Sequence, residues 1–347
     1  MSLLSYQNAR IEALSVHWVG NRSQEEPVVL SKSPQQLNDE KVHDRLLKFF
    51  LNNFRDRLLY SFAPATAPEN NPLYKIAGDI FSKPFILHDK SIEIANMLYD
   101  VSTHHWIKNG ECWVVRFSNV SYNNEPVNAV GIFKTELKEE FLTVKRRDQA
   151  FLISLHEGFN IKKLDKGCLI LERSPEKGYE IMIVDNISLQ DPAEYWKEKF
   201  LNVKPVKTPF YNTSNEFRVL KAFLDDPENT VEPLEKVERL NNSVNYMKEN
   251  ERFEVDEFEK NLFPEPEMRN SFDRFRKKYR DEYDVEIEDE YDIEPQVTKN
   301  PGKFVRSVIK LDRNFHIYVH GNRANIMKGF DEEKGMNFYK IYFSEES

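Results

Sequence analysis

Glycine is scarce, with 11 in 347 residues. That scarcity argues against glycine-rich phosphate loops and long flexible linkers. Cysteine is scarcer still: the two are Cys112, in ECWVV, and Cys168, in GCLIL. Two thiols cannot build a disulfide framework, and their apolar surroundings predict buried thiols in a reducing compartment. A bridge between them would require their strands to be neighbours. No stretch approaches the roughly 20 apolar residues that span a bilayer. Residues 1–20 lack a basic start followed by an apolar core, so no secretion signal and a cytoplasmic location are expected. The enzyme motifs GxGxxG, GxxxxGK[ST], GxSxG and HExxH are all absent.

What the chain does have is charge and aromatic mass. Charged residues make up 31% and the hydrophobic share is 40%, including 25 Phe, enough for real cores. The net charge of -9 argues at first against nucleic acid. Its location says more. Residues 281–294, DEYDVEIEDEYDIE, hold nine acidic side chains and no basic one, which equals the whole excess. The rest of the chain is neutral and free to carry basic surfaces.

Alternating apolar residues predict strands at 9–19 and 27–31, and Asn38 or Asp39 caps a helix predicted to reach about Tyr60. After a Pro- and Asn-rich loop at 61–72, helices are predicted near 73–82 and 90–103. The runs CWVVRF (112–117), AVGIFK (129–134), AFLISL (150–155), CLILE (168–172) and EIMIVD (180–185) then read as strands. Their connections are mostly too short for crossover helices, so an antiparallel meander follows, with the preceding helices over one face. Asp191 with Pro192 predicts a helix through YWKEKFL, and further helices are predicted at 212–225, 230–250, 255–262 and from about 268 to Tyr283. KFVRSVIKLD, NFHIYVHG and MNFYKIYF read as three strands of one terminal sheet. The expected class is α+β: an antiparallel sheet covered by helices in an N-terminal domain, 1–205, then a mostly helical region with a small C-terminal β-sheet, 206–347.

The segments AVGIFKTE (129–136), LDKGCLIL (164–171), YEIMIVDN (179–186) and WKEKFLNVKP (196–205) resemble, in order and spacing, the bacterial nucleoid-associated protein family. VIKLDRNFHIYVHGN (308–322), with a strand after it, is similar to that family too. The resemblance spans most of the chain and is strongest over 125–220. It implies a protein found with the bacterial chromosome, with no catalytic residues, and leaves its molecular action open.

Two groups of cations are candidates for nucleic-acid contact. In MRNSFDRFRKKYR (268–280), Met268, Phe272, Phe275 and Tyr279 form one apolar stripe at helical spacing. Arg269, Arg276 and Arg280 lie on another side, with Arg274, Lys277 and Lys278 nearby, which would lay cations along phosphates. Lys145, Arg146 and Arg147 occupy an expected loop, with Lys162, Lys163 and Lys166 near them. The acidic run either competes with nucleic acid for the basic helix, serves as a solvated linker, or docks through Val285, Ile287, Tyr291 and Ile293. His316, Tyr318 and His320 share one face of a strand, but two imidazoles are too few for a metal site.

The leading expectation is therefore a non-enzymatic protein that binds double-stranded DNA without sequence specificity, through phosphate contacts. A protein–protein adaptor for DNA-processing proteins comes second, and a carboxylate–metal nuclease third. Neither cofactor nor metal is expected. The aromatic content allows a homodimer.

Overall fold

A computed structural model describes every residue except 1, 2, 56, 187–194, 230, 304–307, 313, 320–324, 346 and 347. The expected helix start at Asp191–Pro192, part of the strand from 303, and His320 lie outside the described residues. The chain divides into two compact units, Met1–Val206 and Lys207–Ser347.

In chain order the first unit runs β1 (Leu4–Ser5), β2 (Arg10–Val19), β3 (Val28–Val29), α1 (Glu40–Leu51), β4 (Tyr60–Phe62), α2 (Pro72–Ser82), α3 (Leu87–Val101), β5 (Gly110–Tyr122), β6 (Glu125–Thr135), β7 (Glu139–Arg147), β8 (Ala150–Gly158), β9 (Lys166–Leu171), β10 (Glu180–Asp185), a π-helical segment Tyr195–Leu201, and β11 (Val203–Pro205). Nine of these strands form one sheet in the order β11-β4-β10-β9-β6-β5-β2-β3, with β1 on β5. Its pairings are antiparallel, which the short connections require for β2–β3, β5–β6 and β9–β10.

Helices cover both faces, not one. Successive side chains on a strand point to opposite faces. Val114 and Val115, neighbours on β5, are both fully buried, each in a different core. One core sets Leu73, Ile80, Ile94, Leu98 and Trp196 against Val114, Ile132 and Ile170. The other sets Leu47, Phe50 and Phe54 against Val115, Phe117 and Phe133, with Phe50 stacked on Phe133 at 4.4 Å. A sheet buried on both sides reads as continuous apolar runs, which explains CWVV and CLIL. Asp39 caps α1 by accepting from Lys41 N at 2.8 Å. The helix stops at Leu51, short of the predicted Tyr60, and Tyr60–Phe62 becomes a short strand held between β10 and β11.

Cys112 and Cys168 lie on β5 and β9, with β6 between them. Two strand spacings, about 10 Å, exceed the reach of a disulfide. Burial pushes the Cys112 thiol up to about 12 and raises Cys168 as well. The folded protein is expected to resist a thiol-reactive dye that labels both cysteines in denaturant. Rapid labelling of the native chain would contradict this packing.

The second unit holds α4 (Pro209–Asp225), α5 (Pro233–Glu249), β12 (Arg252–Glu254), α6 (Val255–Leu262), α7 (Pro266–Tyr283), β13 (Glu290–Asp292) and α8 (Pro295–Lys299). Proline opens α4, α5, α7 and α8, where its missing N–H costs nothing. The core is strongly aromatic: Phe223 meets Phe263, Phe272 and Phe275 edge-on. Among the described residues the C-terminal strands make two separate hairpins rather than one three-stranded sheet. β14 (Val308–Leu311) pairs with β15 (Phe315–Tyr318), and β16 (Ile326–Asp331) with β17 (Met336–Ile341). β16, IMKGFD, carries a glycine and two charges, so its sequence gave no strand signal.

Candidate nucleic-acid interface

The basic helix is α7, and it is less free than its sequence suggests. Phe272 is fully buried, and Arg276, one turn on, is only 4% exposed. The Arg276 guanidinium lies 3.1 Å from the buried Glu216 carboxylate and 2.5 Å from Asp289. It also donates to the Glu288 carbonyl at 3.2 Å. Burial opposes its charge, but Glu216 and Asp289 more than offset that and hold its pKa above the ordinary value. Arg276 therefore has no donor face to offer a phosphate. Arg280 sits 3.4 Å from the same Asp289, and Lys277 pairs with Asp273 at 2.7 Å while staying 70% exposed. Arg274 donates to the Asn270 carbonyl of its own helix at 3.2 Å, and Arg269 is half-buried.

The acidic run is what Arg276 holds. Residues 281–294 begin in the last turn of α7 and then fold back, burying Ile287, Tyr291 and Ile293. β13 within it pairs with β12, and Phe253 stacks on Tyr291 at 4.6 Å. This is the docking alternative, not a solvated linker. The apolar alternation supplies the anchor and the acids meet cations of the unit.

One carboxyl beside this cluster is poised for titration. Burial, then the neighbouring Asp273, pushes Glu259 from 4.5 up to about 7. A raised acid stabilises the fold while protonated, so its contribution is full below about 4.5 and is lost as pH rises towards 7. Glu259→Gln is expected to melt with the wild type at pH 4 and roughly 2–4 °C above it at pH 8. Equal melting temperatures at pH 8 would remove Glu259 from this picture.

The second group of cations sits differently. Lys145, Arg146 and Arg147 are the last residues of β7, not a loop. β7 and β8 form a two-stranded sheet of their own, and Asp148, in the left-handed region at φ 52°, starts the turn between them. Aspartate tolerates that conformation well, so the chain reverses at 148–149, after the three residues expected to form the loop. Lys145 and Arg147 share one face of the ribbon with Thr143 and Ser154, and Arg146 shares the other with Phe151. All three are exposed, and Arg146 Nε donates to the Asp148 carbonyl at 3.0 Å. Among the described residues no carboxylate lies within ion-pairing distance of any of them. Lys162, Lys163 and Lys166 do not join them. Nine-residue strands put the ribbon's tip about 25–30 Å from its base, and Lys166 is buried, 3.0 Å from Asp185.

The base is firmly held. Asp165 accepts from Glu136 N at 2.7 Å and Leu137 N at 3.0 Å where the chain enters the ribbon. Phe159 packs on Phe49 and Trp113 where it leaves. No group of three His, Cys, Asp or Glu among the described residues is placed to hold a metal. His316 and Tyr318 lie exposed on β15. No described helix is long and apolar enough to cross a membrane.

Sequence reasoning missed Glu216, because nothing in NTSNEFRVL marks one carboxylate among 58 as a buried counter-ion. It also set Arg276 apart from the apolar stripe, although a spacing of four from Phe272 puts the two on one helical face. A family model described as nucleoid-associated protein YejK matches residues 15–335. No curated protein matches the chain.

Proposed function

Because the chain belongs to the nucleoid-associated protein family, we propose that it contacts duplex DNA directly, through phosphates and without reading sequence, and that it is not an enzyme. The observation that carries this reading is the tip of the β7–β8 ribbon. Lys145 and Arg147 stand there exposed on one face, with Arg146 behind them and, among the described residues, no carboxylate within ion-pairing distance of the three. A two-stranded ribbon with cations at its end fits against a groove or along a backbone, and charge without base-edge geometry gives affinity without specificity. On α7, Arg269, Arg274, Lys277 and Lys278 are the cations that Asp289 does not engage, while Arg276 and Arg280 are held by it.

The test is binding of the full chain to two unrelated duplexes across a salt series. The expected result is equal affinity within about threefold and a linear fall of log K with log salt. No binding at low salt would overturn it. An adaptor role for DNA-processing proteins is the second reading, favoured by a groove of about 330 Å³ beside α7. Its lining mixes Phe275, Tyr279 and Tyr283 with three acids, Asp225, Asp226 and Glu282, against one cation, Lys278, which suits a basic, apolar segment of a protein partner. A partner retained after nuclease digestion, by a chain that does not bind duplex, would favour that reading.

A further inference from the structure

The β7–β8 ribbon has a second face, and it is apolar. Cross-strand register puts Leu142 beside Leu155, Val144 beside Ile153, and Arg146 beside Phe151, with Glu140 beside Glu157 nearest the base. Leu142, Val144, Phe151, Ile153 and Leu155 are each at least 60% exposed. A contiguous strip of that kind is unusual on a soluble surface and marks an interaction site. A lone two-stranded ribbon is also marginal in water, so something must cover it for the arm to be stable.

We propose that this face docks on the same face of a second copy of the chain, arm against arm about a two-fold axis. The order of residues along the strip argues for that occupant. Acids lie at the base end, four aliphatic side chains in the middle, and a cation with an aromatic ring at the tip. A two-fold interface must be complementary to itself. With the axis between the Leu142–Leu155 row and the Val144–Ile153 row, each aliphatic row covers the other row of the partner. Arg146 then falls over the partner's Glu140 and the partner's Glu157. The parallel arrangement would instead set Arg146 against the partner's Arg146 and acids against acids, so charge selects the antiparallel one. Lys145 and Arg147 lie on the opposite face and stay free. Dimerisation therefore does not rest on the DNA reading, and either can fail alone.

The experiment is sedimentation equilibrium of the full chain without DNA. The wild type is expected to dimerise, and Ile153→Glu to weaken the dimer at least about 100-fold. Arg146→Glu alone sets acids against acids, and Glu140→Arg/Glu157→Arg alone sets bases against a base. Each is expected to dimerise poorly. Mixed in equal amounts, they regain both ion pairs and should associate as tightly as the wild type. Far-UV circular dichroism checks that each variant is folded. A wild type that stays monomeric at about 100 µM would overturn the proposal, and so would a mixture no more associated than its components.

Discussion

Arg276→Met is expected to cost the second unit about 3–5 kcal/mol of unfolding free energy, because it leaves the Glu216 carboxylate buried without its counter-charge. Glu216 is fully buried, and burial already pushes its pKa up against the pull of Arg276. Its second oxygen, Oε1, has no hydrogen-bond partner among the described residues. Without the guanidinium it must take up a proton or let water in. The same substitution removes the Arg276 contacts to Asp289 and the Glu288 carbonyl, leaving Arg280, 3.4 Å from Asp289, to tie the acidic segment to α7. In urea the midpoint should fall by about 2 M. The four tryptophans, Trp18, Trp106, Trp113 and Trp196, all lie in the first unit. Tryptophan fluorescence should therefore keep its transition while the helical circular dichroism signal loses stability. Glu216→Leu added to Arg276→Met should restore most of the loss, since an apolar pair can replace a buried ion pair. A midpoint shift below about 0.3 M would show that the pair does not hold the unit together.

Lys145→Gln/Arg147→Gln is expected to weaken duplex binding about 10–100-fold near 0.1 M salt and to flatten the slope of log K against log salt by about 2. Each lost phosphate contact removes roughly one released counterion. The reduction should be the same on unrelated duplexes, because phosphates carry no sequence. Arg269→Gln/Arg274→Gln/Lys277→Gln on α7 removes one more charge and is expected to leave the slope nearly unchanged. Lys277 already faces Asp273, and Arg274 is engaged by its own helix. Bulk charge alone would give the helix variant the larger loss. The contrast between the variants therefore separates a located contact from general attraction.

Periodicity made the helices of the second unit and the central strands legible, because burial imposes it. Phe272, Phe275 and Tyr279 had to face a core, and CWVV and CLIL were legible as strands, but the second layer of helices on their sheet was not. Tyr60–Phe62 was not legible, since only pairing with β10 and β11 makes it a strand. The apolar face of the ribbon was hidden for a different reason. Leu142, Val144, Phe151 and Ile153 look like core residues in sequence, and nothing local reveals that the chain carries them outwards. Charge was the least legible property. α7 and the ribbon tip both read as basic in sequence, and they differ in the partners of their cations: Glu216, Asp289 and Asp273 engage Arg276, Arg280 and Lys277 of α7.

The most direct test of DNA contact at the ribbon tip is lysine acetylation of the full chain with and without random-sequence duplex, read residue by residue by mass spectrometry. Lys145 should be protected by DNA, while Lys277 and Lys278 on α7 react at the same rate in both samples. Protection of Lys277 and Lys278 with Lys145 unprotected would place the DNA on the helix and contradict the proposed interface.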